Sequence, residues 1–570
     1  VVVMGPGMGL RGDRILRYVN AFCPTCHRAD PERPLADVRR LSGRLVDRDG
    51  RVWLERGCPE HGLQRTLYDE SAEILTYLEK WQAPTKRHVP DVPGNYDPVP
   101  QAYLRGLGEM QTQHTCILLE DVIEECNLRC PTCFTDSSPD LAGAVPVADV
   151  LANVDTRLSR ENGRIDVVML SGGEPTLHPG LAAILEGLVA RPVVRILLNT
   201  NGVRIARDDA LVALLRRHRE RVEVYLQYDG PRAEASRHHR GGDLTAVKAA
   251  AVQRLSAAGV FTTLTMTVAL GVNDDQIGDV LRLALATPYV GGVAIQPVFG
   301  SGRTRPIDPL DRLTHTGVLA RLGPQTDGEV TWRDLTALPC SHPHCASVGY
   351  LLRDDAGAWR SLVGVVGEER LLANLGIVAN RVADDEVPRA LRDAVRESLL
   401  GLLSEQSSLS HPAVGDLWRD ICQTCDLGIG TLTRLVASSL PGRGKALRSM
   451  LGERVVRVTV KPFMDMDTMI EERLVQCCVH VGTRGPADGG QPGGQTGGPT
   501  GAGPDVDRCA PFCAVQAWPA LARQRLSTAA GAGARRPVVL PVPTVPTVPT
   551  VPTVQRPRAD LRVEDVEVLS

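Results

Sequence analysis

The sequence predicts an α/β protein with a small metal ribbon ahead of its central domain and a cysteine-rich iron-sulfur domain behind it. Between about Thr115 and Gly300, apolar strand-like runs alternate with longer amphipathic segments, the pattern of a parallel βα arrangement. Closely spaced thiols stand before, within and after that region. At 570 residues the chain exceeds one ordinary core, so two or three domains plus tails are expected.

Residues 1–20 read as a loosely ordered lead-in. Cys23-Pro24-Thr25-Cys26 and Cys58-Pro59-Glu60-His61-Gly62 then bracket a strand-like stretch, Leu45 to Glu55. Two knuckles, each turning at Pro or Gly, can bring Cys23, Cys26, Cys58 and His61 to one tetrahedral ion. Zinc is the simplest occupant and iron the rubredoxin-like variant; the alternative is an incomplete site with His61 on an exposed loop. A helix from about Asp69 to Trp81 closes this module, residues 21–83, and a proline-rich linker, 84–110, follows.

The central domain, 111–325, contains six strand candidates: Cys116 to Ile123, Ile165 to Leu170, Val193 to Asn199, Val222 to Tyr228, Phe261 to Val268 and Gly292 to Val298. Helical segments fall between them at Pro146 to Leu158, Leu181 to Ala190, Asp208 to Arg217, Leu244 to Ala258 and Asp275 to Ala286. The first strand runs into Cys126, Cys130 and Cys133, spaced CxxxCxxC. Three thiolates can hold three irons of a 4Fe-4S cube, leaving the fourth iron open to chelate a cofactor. Such cysteines also bind zinc merely to fold a loop. Gly172-Gly173-Glu174-Pro175 at the end of the second strand favours the cluster.

On these two motifs the chain resembles the radical S-adenosylmethionine (SAM) superfamily. The resemblance implies that the six βα units form a partial (β/α)6 TIM-type barrel, with the cysteine motif after strand one. It also implies that Gly172, Gly173, Glu174 and Pro175 hold the methionine amino group of SAM. The family's aromatic residue before the third cysteine is Thr132 here, with Phe134 just after Cys133, which puts the adenine contact in doubt. Barrel enzymes place active sites at the C-terminal strand ends. Those ends carry Asn201, then Gln227 and Asp229, then Asn273, then Gln296. Asn201 and Asn273 also suit plain turns, whereas Gln227 and Asp229 are expected to contact SAM ribose or substrate. His238, His239 and Arg240 read as a solvated loop.

The segment 326–530 holds eight more cysteines: Cys340, Cys345, Cys422, Cys425, Cys477, Cys478, Cys509 and Cys513. Eight thiolates divide into two fully ligated 4Fe-4S auxiliary clusters, or into one cluster plus a zinc site or stray thiols. Adjacent Cys477 and Cys478 point different ways in a strand and can serve different sites. Cys116, inside an apolar run, reads as core. A Gly/Pro-rich insertion, 482–506, and the Val-Pro-Thr tail, 531–570, are expected to be disordered.

The order of motifs narrows the resemblance. CPxC with CPEHG, CNLxCPxCF, SGGEPTLHP, LQYDG, PCSHPxC, CCVH and PFC together resemble one branch. It includes the class D radical SAM methyltransferases, of the 7,8-dihydro-6-hydroxymethylpterin dimethyltransferase type, and the tetraether lipid synthases. That implies reductive cleavage of SAM to a 5′-deoxyadenosyl radical, hydrogen abstraction from substrate, and an electron donor such as a ferredoxin or flavodoxin. Methyl transfer to a pterin-like or other small molecule is the first expectation, and radical C-C coupling of lipid chains the second. A non-catalytic iron-sulfur electron carrier is the third, and retention of every cluster cysteine and of Glu174 speaks against it. Net charge of -3 with interspersed signs gives no nucleic-acid footprint. No apolar run spans a bilayer and no signal-peptide core precedes Arg11, Asp13, Arg14 and Arg17, so a cytoplasmic enzyme is expected.

Overall fold

The computed structural model describes residues 13–82, 88–161, 163–304, 306–354, 356–373, 452–484 and 507–525. Cys422 and Cys425 lie outside the described residues, as do positions 485–506 of the insertion and the unit Ala532–Ser570.

The N-terminal module is a four-stranded antiparallel sheet in the order β1 (Arg14–Ala21), β2 (Leu41–Arg48), β3 (Arg51–Cys58) and β4 (Gly62–Asp69). The stretch expected as one run is a hairpin. It turns at Asp49 and Gly50, both at positive φ, as a two-residue hairpin turn matched to strand twist requires. The lead-in expected to residue 20 is already a strand from Arg14, paired along β2. Helix α1 (Pro24–Ala29) carries the first knuckle, and α2 (Ala72–Glu79) closes the module, its N-terminus capped by Ser71 on the Ile74 amide.

The barrel strands are β5 (Ile117–Ile123), β6 (Ile165–Gly172), β7 (Val193–Thr200), β8 (Val222–Gln227), β9 (Thr262–Val268) and β10 (Val290–Pro297), paired in parallel in chain order. Helices α3 (Val147–Arg160), α4 (Leu181–Val189), α5 (Asp209–Arg217), α6 (Ala233–Arg240), α7 (Thr245–Ala257) and α8 (Ile277–Ala286) fill the crossovers. Every expected boundary falls within two residues of the observed one, because apolar runs mark strands buried on both faces. Leu118, Val168, Leu198, Leu226, Leu264 and Val293 are fully buried in this core. Burying each such side chain contributes about 1.5–3 kcal/mol relative to leaving it exposed.

Two features differ from the sequence reading. Helix α6 occupies the stretch read as a solvated loop; its sequence AEASRHHR has no apolar stripe, so periodicity gives no signal. The cysteine-rich segment also adds strands to the barrel sheet itself. These are β11 (Thr336–Ala337), β12 (Ser347–Arg353), β13 (Trp359–Ser361), β14 (Val455–Val460), β15 (Val479–Arg484) and β16 (Asp507–Pro511). The order is β11-β12-β14-β10-β9-β8-β7-β6-β5-β15-β16, with β14 parallel to β10 and β15 parallel to β5. The six barrel strands are thus flanked on both sides by strands from far down the chain.

Candidate active site and metal centres

Where β5 and its neighbours end, the chain opens a cavity of about 100 Å³. Cys126, Cys130 and Cys133 line it, with Gly172, Gly173 and Glu174 on one wall and Asn201, Gln227 and Arg240 on another. The sequence-selected strand ends therefore converge on one place. Arg303 clamps the cysteine loop, donating to the Cys130 carbonyl at 3.0 Å, the Ser137 carbonyl at 2.6 Å and Asp136 at 2.9 Å. Asn201 Nδ2 donates to Asn127 Oδ1 at 2.7 Å, so strand three also steadies the loop. Burial pushes the Cys126 thiol up to about 12 and raises that of Cys130 as well. Both sulfurs thus sit where a metal, not water, would have to stabilise the thiolate.

Glu174 is buried and its carboxylate is spent on the protein. Oε1 accepts from the Thr176 and Thr200 hydroxyls, each at 2.6 Å, and Oε2 from the Asn201 amide at 2.8 Å. It ties strand two to strand three and leaves the glycine backbone to face the cavity. Only glycine fits there: a Cβ on Gly172 would lie 2.3 Å from the Ile123 carbonyl oxygen, and one on Gly173 2.0 Å from that of Glu125. Pro175 begins the short turn that follows.

Asp229 is buried and accepts from Arg240 Nε at 2.7 Å and from Arg240 Nη2, and it accepts from the Thr267 amide at 3.2 Å. Burial raises its pKa, but the guanidinium outweighs burial and holds the carboxyl below its ordinary range. Asp229 therefore holds the Arg240 guanidinium in place. Arg240 also donates to Gln227 Oε1 at 2.9 Å, and Gln227 donates to Asn199 at 2.8 Å. His239 is fully buried, within hydrogen-bond reach of Thr132 Oγ1 at 3.2 Å. Burial lowers its pKa to about 4. Arg240 is thus corrected from solvated loop to site wall, while His238 stays exposed; the signal for Arg240 was Asp229, a buried acid needing a cation. Asn273 does more than turn the chain, since its side chain donates to the Asp229 and Thr267 carbonyls, each at 2.8 Å.

In the ribbon, Cys23, Cys26, Cys58 and His61 place their donor atoms within 4.8 Å of one another. Cys26 and Cys58 sulfurs are 3.7 Å apart, and His61 Nδ1 lies 3.3–3.6 Å from the three sulfurs. Metal–sulfur bonds of about 2.3 Å separate tetrahedral sulfurs by about 3.8 Å, so the quartet fits one zinc or iron ion. Cys126, Cys130 and Cys133 do not form a set this tight among the described residues.

The C-terminal thiols divide by position. Cys345 accepts from Arg473 Nε at 3.3 Å and Cys513 from the Met464 amide at 3.4 Å; Cys477, raised by burial, feels both thiols. Cys340 and Cys478 instead meet Cys116. The reading of Cys116 as mere core is corrected: it is buried, but among thiols. Cys509 joins no such group among the described residues, because strand alternation turns it toward Asp91, Arg157 and Glu120.

Residues 122–284 match the family model described as the Radical SAM superfamily, and residues 15–70 that described as the HMPTM N-terminal zinc ribbon domain. The barrel is thus a radical SAM domain, which implies a 4Fe-4S cluster and SAM, and the protein is an enzyme. Among named proteins, it is 24% identical over 487 residues to 7,8-dihydro-6-hydroxymethylpterin dimethyltransferase of Methanocaldococcus jannaschii, covering 81% of this chain and 90% of that one. It is 31% identical to GTP 3′,8-cyclase of Streptomyces coelicolor over 29% of this chain and 48% of that protein. A solved radical SAM methyltransferase from Sphaerobacter thermophilus aligns at 15% identity and a TM-score of 0.27, covering 54% of this chain and 79% of that one. No helix among the described residues is long and apolar enough to cross a membrane.

Proposed function

We propose that the protein is a radical SAM methyltransferase acting on a flat, polar heterocycle of the pterin kind. The observation that carries the reading is the barrel-mouth cavity, where three thiols wider apart than one ion requires face the exposed Gly172-Gly173 backbone. Cys126, Cys130 and Cys133 would hold the cluster, and Gly172 to Pro175 the SAM amino group. Once bound, cluster and SAM supply one-electron cleavage and hydrogen abstraction.

The chain's own part is to orient and exclude. Arg303 and Asn201 hold the cysteine loop, and Asp229 fixes the Arg240 guanidinium beside Cys130. Phe134, Phe299, Phe463 and Phe512 gather along one side of the cavity, with Phe134 and Phe299 in its wall and Phe463 and Phe512 4.5 Å apart. That wall suits stacking of a planar ring. Thr132, Thr135, Ser137, Asn199, Thr267 and Gln296 set polar groups into a lining that is otherwise mostly apolar. Polar groups at fixed positions beside an apolar wall suit a small heterocycle that carries ring heteroatoms. Similarity to a pterin dimethyltransferase over four-fifths of the chain supports the same choice. In this reading the ribbon holds zinc, Cys345, Cys477 and Cys513 belong to one auxiliary centre, and ribbon, barrel and cysteine-rich segment are successive modules.

The test is anaerobic reconstitution followed by reduction with a reduced hydroxymethylpterin, SAM as radical source and, in parallel arms, excess SAM or a folate-bound one-carbon unit as methyl donor. Formation of 5′-deoxyadenosine and of a methylated pterin is expected, and neither with Cys126→Ala. If SAM is never cleaved, the radical assignment of these cysteines fails. If SAM is cleaved while pterins stay unmodified, the methyl-transfer reading fails.

A further inference from the structure

The sulfurs of Cys116, Cys340 and Cys478 lie within 4.8 Å of one another, with Cys340 and Cys478 4.0 Å apart. His114, itself buried, places Nε2 3.3 Å from the Cys116 sulfur and 4.0 Å from Asp166. A single tetrahedral ion with sulfur ligands at about 2.3 Å and nitrogen at about 2.0 Å sets sulfur–sulfur separations of about 3.8 Å and nitrogen–sulfur separations of about 3.5 Å. The ribbon quartet shows the same spacing, and the Cys126 trio does not. Unligated thiols are weak hydrogen-bonding groups that pack as small hydrophobes. Three such thiols converging in the interior, with an imidazole against one of them, therefore ask for an ion.

We infer that Cys116, Cys340 and Cys478 bind one thiophilic ion, zinc or iron, with His114 beside Cys116 the nearest further donor. The site is distinct from the ribbon and from the barrel-mouth cysteines. Cys116 stands at the start of β5, and a seven-residue strand rises about 20 Å before the Cys126 loop begins. Three buried thiolates with an imidazole next to them suit a structural ion.

Its place in the fold says what it holds. The Cys116 and Ile117 amides both donate to the Cys478 carbonyl at 3.0 Å, which ties β5 to the start of β15. Cys340 follows β11, at the opposite end of the sheet order. One ion thus pins the two ends of the sheet to each other and closes the seam of the incomplete barrel. It would bind residues more than 350 positions apart in sequence, from 116 to 478.

Crystals of the holoenzyme measured on both sides of the zinc and iron absorption edges test this directly. One anomalous peak bonded to the three sulfurs is expected, and the responding edge names the metal. No peak, or the density of a multi-iron cluster, overturns the inference. In solution, Cys116→Ala should lose one metal equivalent per chain with no loss of acid-labile sulfide, and should unfold at lower temperature. Unchanged metal content, or loss of about four irons with their sulfide, sinks the single-ion site. Cys340→Ala, outside the strands, repeats the measurement should Cys116→Ala fail to accumulate. A Cys340–Cys478 disulfide in the anaerobically purified protein also counts against it.

Discussion

The ribbon and the barrel mouth each gather closely spaced cysteines, yet they build opposite kinds of centre. In the ribbon, four donors on two knuckles lie within 4.8 Å of one another, a closed set. At the barrel mouth three donors spread along a loop and face a cavity of about 100 Å³. The difference lies less in the cysteines than in what stands opposite them. The ribbon supplies His61 as the last ligand, whereas the mouth supplies a glycine backbone and a clamped arginine. A closed donor set stabilises a fold; an open one leaves room for a reactant.

Removing one thiol from each centre is the strongest way to break this contrast. Cys126→Ala should drop reductive SAM cleavage to background and remove about four irons per chain, with the ribbon metal retained. Metal analysis and 5′-deoxyadenosine assay check both arms. If the ribbon empties too, the two centres are not independent.

Arg240→Ala probes the cavity wall. It leaves Asp229 as an unpaired buried carboxylate, which costs about 3–5 kcal/mol when a buried pair is broken. Anaerobic denaturant midpoints measure that loss, and Asp229→Asn in the same background should recover part of it. Nothing similar is expected at the exposed Arg14–Asp47 pair of the ribbon sheet.

Acid titration sharpens the contrast further. His239 titrates at about 4 when folded against an ordinary value of 6.5. Between those values the unfolded chain carries a proton that the folded chain does not. Stability therefore falls as pH drops from about 6.5 to about 4, by on the order of 3 kcal/mol. His239→Gln should flatten that part of the profile.

The smallest effect on activity is expected from Cys58→Ala. It should release one metal ion from the ribbon and lower its thermal stability while SAM cleavage persists, as metal content and product formation will show. A collapse of cleavage would make the ribbon part of the catalytic unit.

Much of this was legible in the chain because it is local. Cys126, Cys130 and Cys133, the Gly172–Pro175 turn and the CPxC and CPEHG knuckles are short-range spacings, and apolar runs placed the barrel strands within two residues. Helix α6 was not legible, since eight mostly polar residues without a stripe carry no period. Arg303, Arg240 and Cys116 were missed because each acts on a partner distant in sequence. The partners of the Glu174 carboxylate were missed for the same reason: Thr200 and Asn201 come from the next strand.

By itself, then, the sequence determined the class of chemistry, the central α/β order and the ribbon's four ligands, since each depends on residues a few positions apart or on a repeating apolar pattern. Only the tertiary structure decided which cysteines share a centre, because Cys116, Cys340 and Cys478 meet through sheet order. It alone also decided that Asp229 is spent on Arg240. Burial in a low-dielectric wall makes an unpaired charge too costly, and the cation that pairs it lies on an element whose own sequence gives no sign of it.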